Sequence, residues 1–163
     1  MNLPSPLLLL LLLSASLLAA PASAADKADP LVKRHLEARG TPYEVDEDND
    51  YAITVDMGDG RTQLVYVMSN VHRVDGLAVR EIWSNGYQSL EKGMLPAKVA
   101  NRLLEHSHEV ILGSWVKQGD GYAVFVVKIP ADASADQLDS AIDTAAASAD
   151  LIEKEFTGET DAF

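Results

Sequence analysis

The chain has 163 residues, no cysteine, and 25 acidic against 13 basic side chains, for a net charge of −12. The missing cysteine excludes a disulfide framework, a thiolate zinc site, a cysteine nucleophile and lipid attachment through a thiol. The negative field repels phosphate backbones and anionic lipid, so neither nucleic acid nor, once a leader is removed, a membrane is an expected partner.

Residues 7–13 are an unbroken leucine run. Residues 14–20 extend it to an apolar stretch of roughly 14 residues, the length of a secretory h-region, and short of the roughly 20 that a membrane helix needs. Ala22-Ser23-Ala24 then supplies the small-x-small pattern that a signal peptidase accepts, so a cut is expected between Ala24 and Ala25. The first six residues carry no Lys or Arg, and an uncut anchor is the alternative. The expectation is a signal peptide over residues 1–24 and one domain over residues 25–163, periplasmic or secreted. A mature part of about 139 residues can bury roughly two thirds of its unfolded surface and so stand without staples.

Asp29-Pro30 reads as a helix cap followed by proline at the first helical position, and Gly40 as the stop, with Leu31, Val32 and Leu36 on the apolar face. Tyr51, Ile53, Val55 and Met57 alternate with Ala52, Thr54 and Asp56 as a half-buried strand does. Gly58-Asp59-Gly60 is a turn. Leu64, Tyr66 and Met68 then share one strand face and Val65 and Val67 the other. Ser69-Asn70 reads as a turn region, Asp75-Gly76 as a turn, and residues 77–84 as a third strand, which makes a meander. Pro96 opens a second helix, marked by Val99, Ala100, Leu103 and Leu104 at helical spacing. Two more strands follow over residues 110–116 and 122–129, joined at Gly119-Asp120-Gly121 as a hairpin.

Ser134 with Gln137 forms a capping box at the start of a long last helix. Along it Leu138, Ile142, Ala145, Ala149, Ile152 and Phe156 form one narrow stripe, with Asp136, Asp139, Asp143 and Asp150 nearly opposite. The order is α-β-β-β-α-β-β-α, with about five strands. Residues 158–163 carry no periodicity and are unassigned.

The candidate chemistry is sparse. Asp46, Asp48 and Asp50 alternate like the opening of a calcium loop, but the glycine and the bidentate glutamate such a loop needs are replaced by Tyr51 and Met57. A solvated acidic turn is the favoured reading. His106 and His108 could offer two imidazoles to a metal from an extended backbone, but they straddle the end of the second helix and have no third ligand nearby. Ser114, within Gly113-Ser114-Trp115, lies in a predicted strand rather than on a nucleophile elbow. No cofactor or metal is expected, and no catalytic residue is assigned. Trp83, Trp115 and Tyr122 are the heaviest side chains on the predicted sheet. By parity Trp83 shares a face with Leu77 and Val79, and Trp115 with Ile111, which suits core packing first and an interface second. The candidate contacts for a partner are Trp83, Trp115, Val99 and Leu103.

Several segments together resemble the YbjN-like family, whose fold is related to type III secretion chaperones. They are Tyr43-Glu44-Val45-Asp46, the stretch from Gly113-Ser114-Trp115 through Gly119-Asp120-Gly121, Ile129-Pro130-Ala131-Asp132 with Ser134 and Leu138, and Ala149-Asp150-Leu151-Ile152-Glu153 with Phe156, Gly158 and Asp161. The resemblance covers most of residues 29–163. It implies an α+β domain with a curved antiparallel sheet flanked by helices, able to pair with a copy of itself or to hold a protein segment, with no enzyme activity. The expected function is therefore a non-enzymatic, chaperone-like protein-binding domain. The alternatives are a small hydrolase using His106 or His108 and an envelope-stress structural protein.

Overall fold

The computed structural model describes residues 27–163 apart from Lys92 and Glu159. The expected signal segment and its cut between Ala24 and Ala25 lie outside the described residues. Helix α1 (Pro30–Arg39) begins where expected: the Asp29 carboxylate accepts the Leu31 N–H at 2.7 Å. It stops at Gly40, whose φ of +70° is a left-handed conformation that costs glycine little. Strands β1 (Glu44–Val45), β2 (Tyr51–Gly58), β3 (Arg61–Val74) and β4 (Leu77–Gln88) follow. Helix α2 (Ala97–Glu109), strands β5 (Ser114–Gln118) and β6 (Tyr122–Pro130), and helix α3 (Ala135–Thr157) complete the chain.

The fold is α+β, with one six-stranded sheet in the order β1-β2-β3-β4-β6-β5 and every neighbouring pair antiparallel. The capping box at Ser134 and Gln137 is present, each side chain bonding the other residue's backbone N–H. From there α3 crosses β2, β3, β4 and β6. Ala141, Ala145, Ala146 and Ala149 are wholly buried beneath it, and their small side chains bring the helix axis close to the sheet. Ile53, Val65, Val67, Ile82, Phe125 and Val127 from the sheet share one core with α3, and α1 and α2 add Val32, Leu36, Val99 and Leu103 to it. Each such side chain contributes about 1.5–3 kcal/mol of burial. Among the described residues, all three helices thus cover one face and leave the other without a helix.

The sheet departs from expectation in four places. Strand β1 is an added sixth strand, and its two residues are too few to show an alternation. The Ser69-Asn70 turn is absent because β3 runs straight through it. Val67 faces Ile82 and Val71 faces Arg80, so β3 carries two more residues than β4 across this stretch. Ser69 is a bulge residue: its N–H goes to the Asp50 carboxylate at 2.6 Å and its hydroxyl to the Asn49 carbonyl. Strand β4 continues past Ser84 to Gln88, with an irregularity between Asn85 and Tyr87. The strand expected over residues 110–116 begins only at Ser114, because Gly113 has φ +95° and breaks the extended run before it.

Candidate functional site

On β3 the residues that alternate with the buried Val65 and Val67 are Leu64, Tyr66 and Met68, all half-buried. On β4 the residues that alternate with Ile82 and Ser84 are Glu81, Trp83 and Asn85, half-buried as well. Tyr66 and Trp83 are direct cross-strand partners. Val124 and Val126 of β6 belong to the same face and are almost fully buried, between Asn85 and Trp83 on one side and Val116 and Ser114 on the other. An apolar, aromatic floor therefore lies on the face that carries no helix.

A groove of about 340 Å³ crosses this floor, lined by Asp46, Asp48, Asp50, Tyr66, Met68, Trp83, Asn85, Gln118 and Tyr122. Its volume lies at the small end of the range typical of ligand sites. Trp83 is oriented by its indole N–H, which donates to Glu81 at 2.9 Å, and Glu81 is in turn paired with Lys128 at 3.1 Å.

The loop between β1 and β2 forms the acidic end of the groove. The Asp46 carboxylate accepts the N–H groups of Asp48 and Asp50, both at 2.9 Å, an Asx arrangement that closes the loop on itself. Asp48 is exposed. Asp50 is buried, and burial together with the neighbouring charges of Asp46 and Asp48 raises its pKa even though the Ser69 N–H opposes the shift. The Tyr66 hydroxyl is likewise shifted up, by burial and then by Asp46, so it stays protonated and able to donate. Among the described residues no group of three or more His, Cys, Asp or Glu is placed to hold a metal ion.

A larger groove of about 450 Å³ sits at the β3–β4 hairpin end. Its two most deeply placed charges are already engaged with each other: Arg80 bonds Asp29 at 2.6 Å and also the Met68 carbonyl. Burial pushes the Asp29 carboxyl up, but the Arg80 and Leu31 hydrogen bonds outweigh it and hold the group below its ordinary value.

The candidate contacts separate sharply. Trp83 lines the open groove. Trp115, Val99 and Leu103 are 9 %, 5 % and 3 % exposed and belong to the core, so none of the three presents a surface to a partner. Trp115 points into the sheet's covered face and meets Phe125 edge-on at 5.3 Å. Its supposed face-mate Ile111 lies in the preceding loop, fully exposed. Tyr66, Met68 and the acidic loop line the same groove, although none of them is among the expected partner contacts. The run from Leu64 to Met68 is apolar on both strand faces, so it could not reveal which face would lack a helix.

The two histidines lie within the last turn of α2 rather than across its end. His106 is buried and its Nδ1 accepts the Trp115 indole N–H at 2.9 Å, while His108 is exposed. They do not face one point. Ser114, at the start of β5, is exposed while the His106 ring is turned into the core. Burial, and then Arg102, lowers the His106 pKa. The folded state therefore disfavours the proton, and the unfolded chain binds it from the ordinary value of 6.5 downward. Stability is expected to fall as pH drops below that point and through the folded pKa. Urea midpoints measured between neutral and mildly acidic pH test this, and His106→Asn, which keeps an acceptor but does not titrate, is expected to lack this component.

No family model matches the chain, and no curated protein matches it.

Proposed function

We propose that the mature chain is a non-enzymatic, chaperone-like protein-binding domain, periplasmic or secreted, that holds a segment of another protein on the open face of its sheet. The YbjN-like resemblance of the sequence agrees with this reading. The observation that carries it is the groove formed by Tyr66, Met68, Trp83 and Tyr122 on the face free of helices. Aromatic side chains in a partly desolvated pocket are the residues on which binding energy concentrates. The groove is also built on strands, whose cross-strand pairs fix the spacing of its side chains without help from a ligand. Among the described residues no helix is long and apolar enough to cross a membrane.

Site-specific photocrosslinking of the exported protein tests the proposal. A crosslinker at Asn85 is expected to trap a partner protein, and one at the exposed Arg34 of α1 is not. Trp83→Ala, a truncation of a half-buried surface side chain, is expected to lower capture at position 85 by tenfold or more, the equivalent of about 1.4 kcal/mol or more, as for an aromatic anchor. Its far-ultraviolet circular dichroism should match the unsubstituted protein. Equal trapping from both positions, or capture indifferent to Trp83, would count against the sheet face as the binding surface.

A further inference from the structure

We infer that the segment held in this groove is cationic, and that a lysine or arginine of the partner enters the end formed by Asp46 and Asp48. The inference rests on the proposed function and adds the chemistry of the partner. Three of the nine lining residues are aspartates and none is a lysine or arginine, so the groove has an unbalanced negative lining. The imbalance is local as well as global, since it sits on a chain of net charge −12.

The crowding of the three acids is visible in Asp50, whose carboxyl is held above its ordinary value by burial and by its two acidic neighbours. Asp50 is already bonded to the Ser69 N–H, and Asp46 to two backbone N–H groups of its own loop. Such bonds leave the net charge in place. Asp48 is exposed and can turn toward an incoming cation.

Aromatic rings complete the match. Tyr66, Trp83 and Tyr122 share the groove with the aspartates, and a cation placed over an aromatic face is attracted by the ring's quadrupole. Arginine and lysine also carry apolar stems that can lie along Met68 and the rings while the charged head reaches the carboxylates. A neutral or acidic segment of equal bulk would gain the apolar contact alone, and the acidic one would be repelled.

The test uses three synthetic peptides that share the same aromatic and aliphatic residues and differ only in their charged positions, filled by Lys and Arg, by Gln, or by Glu. Binding to the mature protein is read by fluorescence anisotropy at low and at near-physiological salt. The basic peptide is expected to bind at least tenfold tighter than the neutral one and to weaken as salt rises; the acidic one is expected not to bind. Asp48→Asn, which removes an exposed charge with no hydrogen bond or ion pair among the described residues, should lower affinity for the basic peptide several-fold and leave the neutral one unchanged. Trp83→Ala should weaken both. Equal binding of basic and neutral peptides, with loss of both on Trp83→Ala, overturns the cationic inference while the proposed function stands. Failure of all three peptides to bind overturns both.

Discussion

Replacing Arg61 with alanine is expected to destabilise the fold by about 3–5 kcal/mol, the cost of leaving a buried charge without its partner. Arg61 is the first residue of β3, and its side chain is 6 % exposed. Its guanidinium donates to Asp150 at 2.7 Å and to Glu153 at 3.1 Å, and Asp161 lies 4.0 Å away. Glu153 is wholly buried on α3. Burial already pushes its carboxyl above the ordinary value in spite of Arg61, so removal of the guanidinium favours the protonated acid further. The sign of the pH dependence follows. The unfolded glutamate titrates near 4.5 and the folded one higher, so between the two the native state holds the extra proton and stability falls as pH rises. Arg61→Ala should therefore be least stable at neutral pH and recover as the solution is acidified through the folded pKa. Arg61→Met combined with Glu153→Gln should recover part of the loss, because apolar and neutral replacements remove both charges together. Urea denaturation across pH measures all three, and an Arg61→Ala midpoint equal to that of the parent would refute the buried pair as a major tie between sheet and helix.

The second large effect is expected at Phe125, for which truncation to alanine should cost about 3–5 kcal/mol. The ring is fully buried at the centre of a cluster with Trp115 at 5.3 Å and His106 at 6.0 Å between ring centroids, both in edge-on or steeply inclined contact. Its loss opens a cavity where β6, β5 and α2 meet. The Trp115 indole would lose one of the surfaces that fix it against His106, so its fluorescence should broaden and shift to longer wavelength along with the drop in unfolding midpoint. Phe125→Leu, which keeps most of the volume, should cost clearly less. An equal cost for both would show that the loss is not one of cavity volume.

The elements with strong local chemistry were legible in the sequence. Asp29, Pro30 and Gly40 bounded α1, and Ser134 and Gln137 opened α3, because caps and breakers act within a few residues of themselves. The apolar stripe from Leu138 to Phe156 named the face of α3 that packs, since helical periodicity is a property of one segment. What escaped was set by distant partners. Asp150 sits on the polar side of that stripe by angle alone, yet it is paired with Arg61 from the start of β3. Glu153 falls at the edge of that stripe, four residues after Ala149 and three before Phe156, but its partner Arg61 lies 92 residues away in the chain and could not be read from the helix. The unassigned tail is also tied down, at long range by the Thr62 N–H and hydroxyl, which both reach the Asp161 carboxylate, and locally by the Ala162 N–H, which reaches Glu153. For the candidate groove, parity along β3 and β4 sorted the side chains into two sets. Which set would meet solvent depended on all three helices packing on the same side, and no single strand encodes that.

Gly86 links two distant positions in a way that reaches beyond stability. A Cβ placed there would lie 2.5 Å from the far edge of the Trp115 ring and 2.9 Å from the Ala149 carbonyl oxygen, and the second of these cannot yield, being helix backbone. The indole tip thus occupies the room that a side chain on β4 would fill. Natural variation at this spot should be coupled: a larger residue at position 86 is tolerated only where position 115 has shrunk and α3 stands further from the sheet, so the three sites would drift as a set through descent.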